Sequence, residues 1–150
     1  MGDNLNIAFR PIAPADFEAV HGLWERAVRA THDFLSEAEI AEISAQVRDA
    51  YLPNAPLLLA VDGEKILAFM GMTGSHIDAL FVDPAAFGRG VGRALIGEAR
   101  KRGRPVTVDV NEDNPGAVAF YEKMGFERIG RSETDDQGRP FPLLHLQDQA

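Results

Sequence analysis

The chain has no cysteine among its 150 residues and no long apolar run. Without cysteine there can be no disulfide, thiolate metal site or cysteine nucleophile, and the composition suits a reducing cytoplasm. A membrane span would need an apolar run of about 18 residues. The first residues, MGDNLNIAFR, also have neither the basic start nor the apolar segment of a signal peptide. We therefore expect a single cytoplasmic domain over residues 1–150, with no membrane contact.

Positive charge is also scarce, since 15 lysines and arginines stand against 23 aspartates and glutamates, for a net charge of -8. Such a balance argues against sequence-independent binding to nucleic acid. It is compatible with a cationic or amine substrate, and equally with ordinary solubility. The four histidines, at positions 21, 32, 76 and 145, lack the spacing of metal ligands, so we expect no metal.

Apolar periodicity and turn residues divide the chain into strands and helices. We expect strands at 5–10, 57–62, 65–72, 76–82, 106–110, 126–130 and 142–147, with a hairpin at Asp62-Gly63. The first helix begins near Asp16, and Ser36 with Glu39 forms a capping box for the second. Two more helices are expected near 88–102 and at 114–124. This order indicates a mixed α/β sheet of about seven strands with about four helices.

A glycine-rich loop lies where the strand at 76–82 passes into the next helix. Gly88, Gly90 and Gly92 would let a ligand approach the backbone closely. The first turn of a helix also presents free N–H groups to an anion, and basic residues crowd this helix. Ligands of open α/β sheets bind at the carboxyl ends of strands. A polyanionic small ligand, most simply a pyrophosphate, is therefore expected here.

The common phosphate loops do not fit this spacing. A dinucleotide fingerprint starting at Gly88 would need glycine where Arg93 stands, and one starting at Gly90 would need it at Leu95. A P-loop would end in Gly-Lys-Ser/Thr, which the chain lacks.

Two blocks resemble the signatures of the GCN5-related N-acetyltransferase (GNAT) superfamily. The first signature, Arg/Gln-x-x-Gly-x-Gly/Ala after a strand and a V-D-P-type turn, is matched by 82–84 and by Gly90-x-Gly92. The second, Asn-x-x-Ala-x-x-Phe-Tyr-x-x-x-Gly-Phe, is matched at Asn114, Ala117, Phe120, Tyr121, Gly125 and Phe126. Residues 30–35 and 130–140 further resemble the YjaB-type branch, so the resemblance covers nearly the whole chain.

The resemblance implies a GNAT fold, with a mostly antiparallel sheet whose fourth and fifth strands splay apart. It implies acetyl-CoA as co-substrate, with pantetheine in that gap beside the backbone of Leu80, Phe81 and Val82. The further coenzyme-binding residues that it implies are Gly88, Arg89, Gly90, Val91, Gly92, Arg93, Asn114, Ala117 and Tyr121.

One position departs from the family pattern. The first residue of the pyrophosphate signature, normally Arg or Gln, is Phe87 here. The side-chain contact that the family makes from this position is therefore missing, and Arg89 and Arg93 are the candidates to replace it.

Acetyl transfer from a thioester to an amine needs an acid for the departing thiolate and a neutral amine. Tyr121 is the candidate acid, because a phenol can donate a proton to a thiolate placed beside it. Asn114, followed by Pro115, is also a helix N-cap. Asp109 is the candidate base, with His76, Glu112, Asp78 and a chain of waters as alternatives.

The resemblance places His32 and Phe34 at the acceptor wall, and His76 opens the strand that lines the site. Trp24 is interpreted as core. His145 could line the same cleft, but it is interpreted as a hydrogen-bonded core histidine. The chain is thus expected to be an acetyl-CoA-dependent N-acetyltransferase that acts by direct attack on a primary amine, either of a small molecule or of a peptide or protein, as a monomer or homodimer. The alternative is a CoA-binding module of the same fold that does not turn over.

Overall fold

A computed structural model describes residues 5–135 and 137–149. The chain forms two compact units. The first consists of Met1–Gly71 and Ala79–Ile96, and the second of Met72–Asp78 and Gly97–Ala150.

The described residues contain seven strands and four α-helices, as expected. The strands are β1 (Ala8–Pro11), β2 (Leu58–Asp62), β3 (Lys65–Thr73), β4 (His76–Val82), β5 (Thr107–Asn111), β6 (Phe126–Ser132) and β7 (Leu143–Asp148). The helices are α1 (Phe17–Thr31), α2 (Glu37–Gln46), α3 (Val91–Arg102) and α4 (Pro115–Lys123). Short helical turns occupy Pro14–Asp16, Val47–Tyr51 and Pro84–Ala86.

The strand order of the sheet is β1-β2-β3-β4-β5-β7-β6. The ladders β1–β2, β2–β3, β5–β7 and β6–β7 are antiparallel, whereas β4 and β5 run parallel. The parallel ladder joins His76 to Thr107 and Ile77 to Val108, at the start of both strands. This mixed, mostly antiparallel sheet with a short β4–β5 ladder confirms the expected fold class.

The first unit is organised around the apolar face of α1. Val20, Leu23 and Trp24 are buried in one cluster with side chains of β2 and β3, so Trp24 is a core residue as expected. The capping box of α2 is present, with the Glu39 N–H donating to Ser36 Oγ at 3.1 Å and the Ser36 N–H donating to Glu39 Oε1 at 2.9 Å. The β2–β3 hairpin turns at Gly63, whose φ is 62°, and this confirms the expected turn.

Three boundaries differ from the sequence expectation for identifiable reasons. β1 starts at Ala8 because its partner strand β2 runs out into the hairpin turn just beyond Val61. α3 starts at Val91 rather than at residue 88, because Gly88 and Gly90 have positive φ angles that a helix does not use. β6 extends to Ser132, since Ser132 pairs with Leu143 of β7.

The second unit is built on alternation along β5. Val108 and Val110 are buried, so Asp109 lies on the opposite face. A buried ion pair joins α3 to β7, with Arg100 Nε donating to Asp148 Oδ2 at 2.7 Å and Asp148 only 3% exposed. The hydrogen bond and charge of Asp148 raise the pKa of Arg100. Arg100, which the sequence suggested as part of a ligand-binding basic cluster, thus serves the structure.

Candidate active site

The glycine loop of the first unit ends in an exposed helix start. Gly88 and Gly90 have φ angles of 74° and 84°, and an added Cβ at either would meet no atom within 4 Å. The first helical hydrogen bond runs from the Ala94 N–H to the Gly90 carbonyl at 3.0 Å. The N–H groups just before Ala94 therefore lack a partner within the helix and are available to an anion. The loop fits a pyrophosphate, with the exposed side chain of Arg93 in the same turn.

Phe87 precedes this loop and is 46% exposed. It follows the helical turn Pro84–Ala86 and has an extended backbone. The first signature position thus presents an exposed apolar ring.

Asp83 shapes the entry into the loop. Its Oδ1 accepts from the Ala85 N–H at 3.1 Å, and its Oδ2 accepts from Arg26 Nη2 of α1 at 2.8 Å. Burial alone would raise the pKa of Asp83, but these hydrogen bonds outweigh it, so the pKa lies below its usual range. The carboxylate is therefore ionised at neutral pH and ties the loop to α1.

An aromatic cluster in the same unit contains the predicted acceptor-wall residues. The His32 ring lies 5.3 Å from that of Phe34 and 6.3 Å from that of Phe81. Thr31 Oγ1 donates to the Ala27 carbonyl at 2.7 Å. His32 Nδ1 lies 2.7 Å from Thr31 Oγ1, and because the hydroxyl hydrogen is already used, Nδ1 must donate to this hydroxyl oxygen. Burial lowers the pKa of His32. The ring is thus neutral, with Nε2 as its acceptor nitrogen.

Leu80, Phe81 and Val82 form the end of β4 and are half-buried. Their contact with pantetheine, like the coenzyme contacts of 88–93, stays a prediction.

An acidic pocket of about 300 Å³ lies in the second unit. Its lining includes His76, Asp78, Asp109, Asp135 and Gln137. His76 Nδ1 is 2.7 Å from Thr107 Oγ1, and His76 Nε2 is 3.7 Å from Asp109 Oδ2. The structure therefore brings Asp109 and His76 together, two residues that the sequence singled out separately.

The other two base candidates have different surroundings. Asp78 lines the same pocket and accepts from Thr73 Oγ1 at 2.6 Å. Glu112 is bound by Arg131 through two hydrogen bonds of 2.6 and 3.2 Å. The Arg131 hydrogen bond lowers the pKa of Glu112. Because its carboxylate is already engaged in an ion pair, Glu112 is the weaker candidate.

Two more residues lie beside Asp109: His145, which the sequence offered only as a less favoured cleft residue, and Ser132, which it did not suggest. His145 Nδ1 lies 2.6 Å from Asp109 Oδ1, and His145 Nε2 lies 2.7 Å from Ser132 Oγ. The side chain of His145 is 32% exposed, so its interpretation as a core residue is wrong, although it is hydrogen-bonded as expected. Alternation with the buried Leu144 and Leu146 could have indicated its face, but not its partner.

Tyr121 is buried in the second unit, with 6% of its surface exposed. Its ring meets those of Phe120 and Phe126 edge to face, at centroid distances of 5.0 and 5.3 Å. Burial raises the pKa of the Tyr121 hydroxyl. The phenol therefore keeps its proton at neutral pH, which is the form that an acid catalyst needs.

Asn114 caps α4 as expected. Its Oδ1 accepts from the Ala117 N–H at 3.2 Å, with Pro115 as the first helical residue. The coenzyme contacts expected of Asn114 and Ala117 stay predictions.

Within the part of the chain that is described, His, Asp and Glu side chains form no group of three suited to a metal ion. No helix among residues 5–135 and 137–149 has the length and apolarity that crossing a bilayer requires.

Comparison with known proteins identifies relatives over nearly the whole chain. The family model described as the acetyltransferase (GNAT) domain matches residues 25–142. The peptidyl-lysine N-acetyltransferase YjaB of Salmonella typhimurium is 50% identical over 130 residues, covering 86% of this chain and 89% of that protein.

Solved structures give the same result for the fold. The solution structure of apo-form YjaB from Escherichia coli has a TM-score of 0.91 at 44% identity, covering 96% of this chain and 98% of that one. The PaiA N-acetyltransferase from Thermoplasma acidophilum, crystallised in complex with coenzyme A, has a TM-score of 0.76 at 18% identity, covering 94% and 98% of the two chains.

We expect Asp83→Asn to lower the free energy of unfolding by about 1 to 2 kcal/mol at neutral pH, because it weakens charge-assisted hydrogen bonds to a buried group. The folded pKa of Asp83 is lowered, so its stabilisation is complete above the unfolded pKa and is lost as pH falls through the folded value. The difference in free energy of unfolding between the variant and the wild type should thus become smaller below about pH 4. Urea denaturation over a pH series measures this.

The exposed pair Arg48–Asp49 provides the control, with side chains 60% and 64% exposed. Asp49→Asn should leave stability almost unchanged. If the difference in free energy of unfolding between Asp83→Asn and the wild type stayed constant into acid, the ionised carboxylate would not be the source of that difference.

Proposed function

The chain belongs to the GNAT family and is an N-acetyltransferase, and we propose that it transfers the acetyl group of acetyl-CoA to the side-chain amine of a lysine in a protein. The observation that carries the choice of acceptor is the pocket that three aspartates, Asp78, Asp109 and Asp135, line together with His76. A pocket of that charge attracts a cationic amine. The name of the Salmonella relative, a peptidyl-lysine N-acetyltransferase, supports the same acceptor.

The glycine loop is proposed to hold the coenzyme. Its positive-φ glycines, the open space at Gly88 and Gly90, and the N–H groups at the start of α3 suit a pyrophosphate. Arg89 and Arg93 add positive charge to the loop, because Phe87 stands where the family signature has Arg or Gln. When bound, acetyl-CoA supplies the thioester whose carbonyl carbon the amine attacks, so that a C–N bond forms as the C–S bond breaks.

Tyr121 is proposed as the acid. Its burial keeps the hydroxyl protonated and also makes it a weaker acid than in water. We therefore expect it to hydrogen-bond to the sulfur as negative charge develops there, and to pass on its proton as the thiolate forms.

Asp109 and His76 are proposed to receive the proton that the amine loses. Both side chains line the pocket, are about one-third exposed, and stand 3.7 Å apart. A carboxylate beside an imidazole attracts the ammonium form and provides an acceptor for its proton.

His32 and Phe34 are proposed to form an apolar wall for the acceptor. The neutral imidazole of His32 and the phenyl rings of Phe34 and Phe81 offer a surface for an aliphatic chain. We also propose that the protein acts in the cytoplasm, which its lack of cysteine supports.

We expect Gly90→Val to abolish measurable coenzyme A binding, because a branched residue is strongly disfavoured at a φ of 84° and the loop must change shape. Isothermal titration calorimetry of the folded variant measures this. Gly97→Ala is the matched control, since Gly97 lies in α3, the helix that follows the loop, and its added Cβ also meets no atom within 4 Å. It should bind coenzyme A as the wild type does. Equal affinities for all three proteins would place the coenzyme elsewhere.

Tyr121→Phe keeps the ring and removes the hydroxyl. If Tyr121 protonates the thiolate, the single-turnover rate should fall by roughly 10²- to 10⁴-fold, the usual contribution of a positioned general acid. Affinity for acetyl-CoA should change far less, because the hydroxyl acts mainly as charge develops on sulfur. Rapid-quench assays at saturating substrate compare the rates without interference from product release. Equal rates would remove Tyr121 from the mechanism.

The acceptor is tested with two short peptides that differ in their amines. One has a blocked N-terminus and a single lysine, and the other has a free N-terminus with arginine in place of that lysine. We expect acetylation of the lysine peptide alone, located by mass spectrometry. Acetylation of the second peptide alone would show an α-amine acceptor instead.

Asp78→Asn tests the role of the pocket charge in the same assay. Removing one pocket charge should raise KM for the lysine peptide roughly threefold to tenfold at low ionic strength, with a smaller effect in salt. Asp113→Asn makes the same charge change at an exposed position of the second unit and should leave KM unchanged. An equal KM for the Asp78 variant would argue against electrostatic recognition in this pocket.

A further inference from the structure

A continuous row of polar side chains crosses the sheet of the second unit and ends at the pocket. It runs from Ser132 of β6 to His145 of β7 and on to Asp109 of β5, with contacts of 2.7 and 2.6 Å. Beyond Asp109 it continues to His76 of β4 at 3.7 Å and to Thr107 at 2.7 Å. Three members of this row, Ser132, His145 and Thr107, have no role in the proposal above.

We propose that His145 and Ser132 are positioning residues of the acetyl-transfer reaction. Ser132 donates a hydrogen bond to Nε2 of His145 and so helps to orient the ring, and His145 then holds Asp109 so that one carboxylate oxygen stays available to the acceptor amine. This inference rests on the proposed function, in which Asp109 and His76 receive the proton of the amine.

The direction of the hydrogen bonds follows from the groups themselves. An ionised carboxylate only accepts, so His145 Nδ1 must carry the hydrogen that it shares with Asp109 Oδ1. In the neutral ring, Nε2 is then an acceptor, and the Ser132 hydroxyl donates to it. Loss of the hydroxyl would leave Nε2 without its donor and remove one of the two hydrogen bonds that orient the ring.

The strand register explains why these side chains meet. Asp109 and His145 are direct partners in the β5–β7 ladder, so their side chains lie on the same face. Gly130 stands opposite His145 on β6, and the imidazole lies over it, with ring carbon Cδ2 3.4 Å from where a Cβ would be. The ring can therefore reach past Gly130 to Ser132, two residues further along β6.

The consequence for Asp109 is a fixed orientation. Oδ1 is occupied by His145, whereas Oδ2 is turned toward His76 Nε2 at a distance too long for a hydrogen bond. Thr107 binds the other nitrogen of His76 and so fixes that ring as well. An amine that enters the pocket would find Oδ2 and His76 Nε2 already oriented, which is the benefit of preorganisation.

The test compares two replacements of His145. His145→Leu removes both hydrogen bonds, whereas His145→Asn keeps an N–H at about the position of Nδ1 and can still hold Asp109. We expect the single-turnover rate with a lysine peptide to fall roughly 10- to 100-fold in the leucine variant, the scale of a misplaced reacting group. The asparagine variant should recover most of that rate, and affinity for acetyl-CoA should be unchanged in both.

His21 supplies the matched control, because its Nε2 also contacts a serine hydroxyl, Ser44 Oγ, at 2.9 Å, but in the first unit. His21→Leu should keep the wild-type rate. If both His145 variants lose the rate equally while folded, or both keep it, the positioning role is wrong.

Ser132→Ala can be tested by a measurement that needs no turnover, and it leaves the His145 ring in place. In mildly alkaline buffer, ¹⁵N chemical shifts should show His145 with its hydrogen on Nδ1 in both proteins, whereas the shift of the acceptor Nε2 should change in the variant because its hydrogen bond from Ser132 is lost. Identical spectra would overturn the role of Ser132. Covalent acetyl-Ser132, found by mass spectrometry after incubation with acetyl-CoA, would also overturn it and make Ser132 a nucleophile.

The proposed function and the positioning role of His145 can fail separately. A wild-type protein that acetylates no amine would remove the proposed function and this inference together. A wild-type protein that acetylates the lysine peptide, with His145→Leu equally fast, would remove the inference alone.

Discussion

The alignment of β5 with β7 places Asp109 directly opposite His145, and the chemistry of the second unit depends on that alignment. A shift of one residue would turn Asp109 toward the buried face and bring Val108 or Val110 into the pocket. The buried valines hold the alignment, because they can be covered only when Asp109 faces the other way. Apolar packing on one face of the strand thus positions the polar groups on the other.

A second constraint operates at the loop of the first unit. The positive φ angles of Gly88 and Gly90 delay the start of α3 to Val91 and leave N–H groups exposed at its first turn. Asp83 stabilises the entry to this loop through Arg26 and the Ala85 N–H. The loop geometry is therefore maintained by the chain's own glycines and hydrogen bonds.

Much of this structure could be predicted from short stretches of sequence. The capping box at Ser36 and the hairpin at Gly63 depend on residues within a few positions of one another. The alternation along β5 correctly placed Asp109 on the polar face. Interactions between distant residues were not predictable in this way. Arg100, which belongs to a basic run in the sequence, is engaged by Asp148, 48 residues away.

The sequence by itself determined the elements, the caps and turns, the glycine loop and the two family signatures, because each depends on local spacing. Only the tertiary structure decided which polar side chains meet. His145 and Ser132 carry no local signal of a site, and they adjoin Asp109 because β6 and β7 return to the sheet beside β5. Strand register is set by how the whole sheet buries its apolar face, so it cannot be determined from any one strand alone.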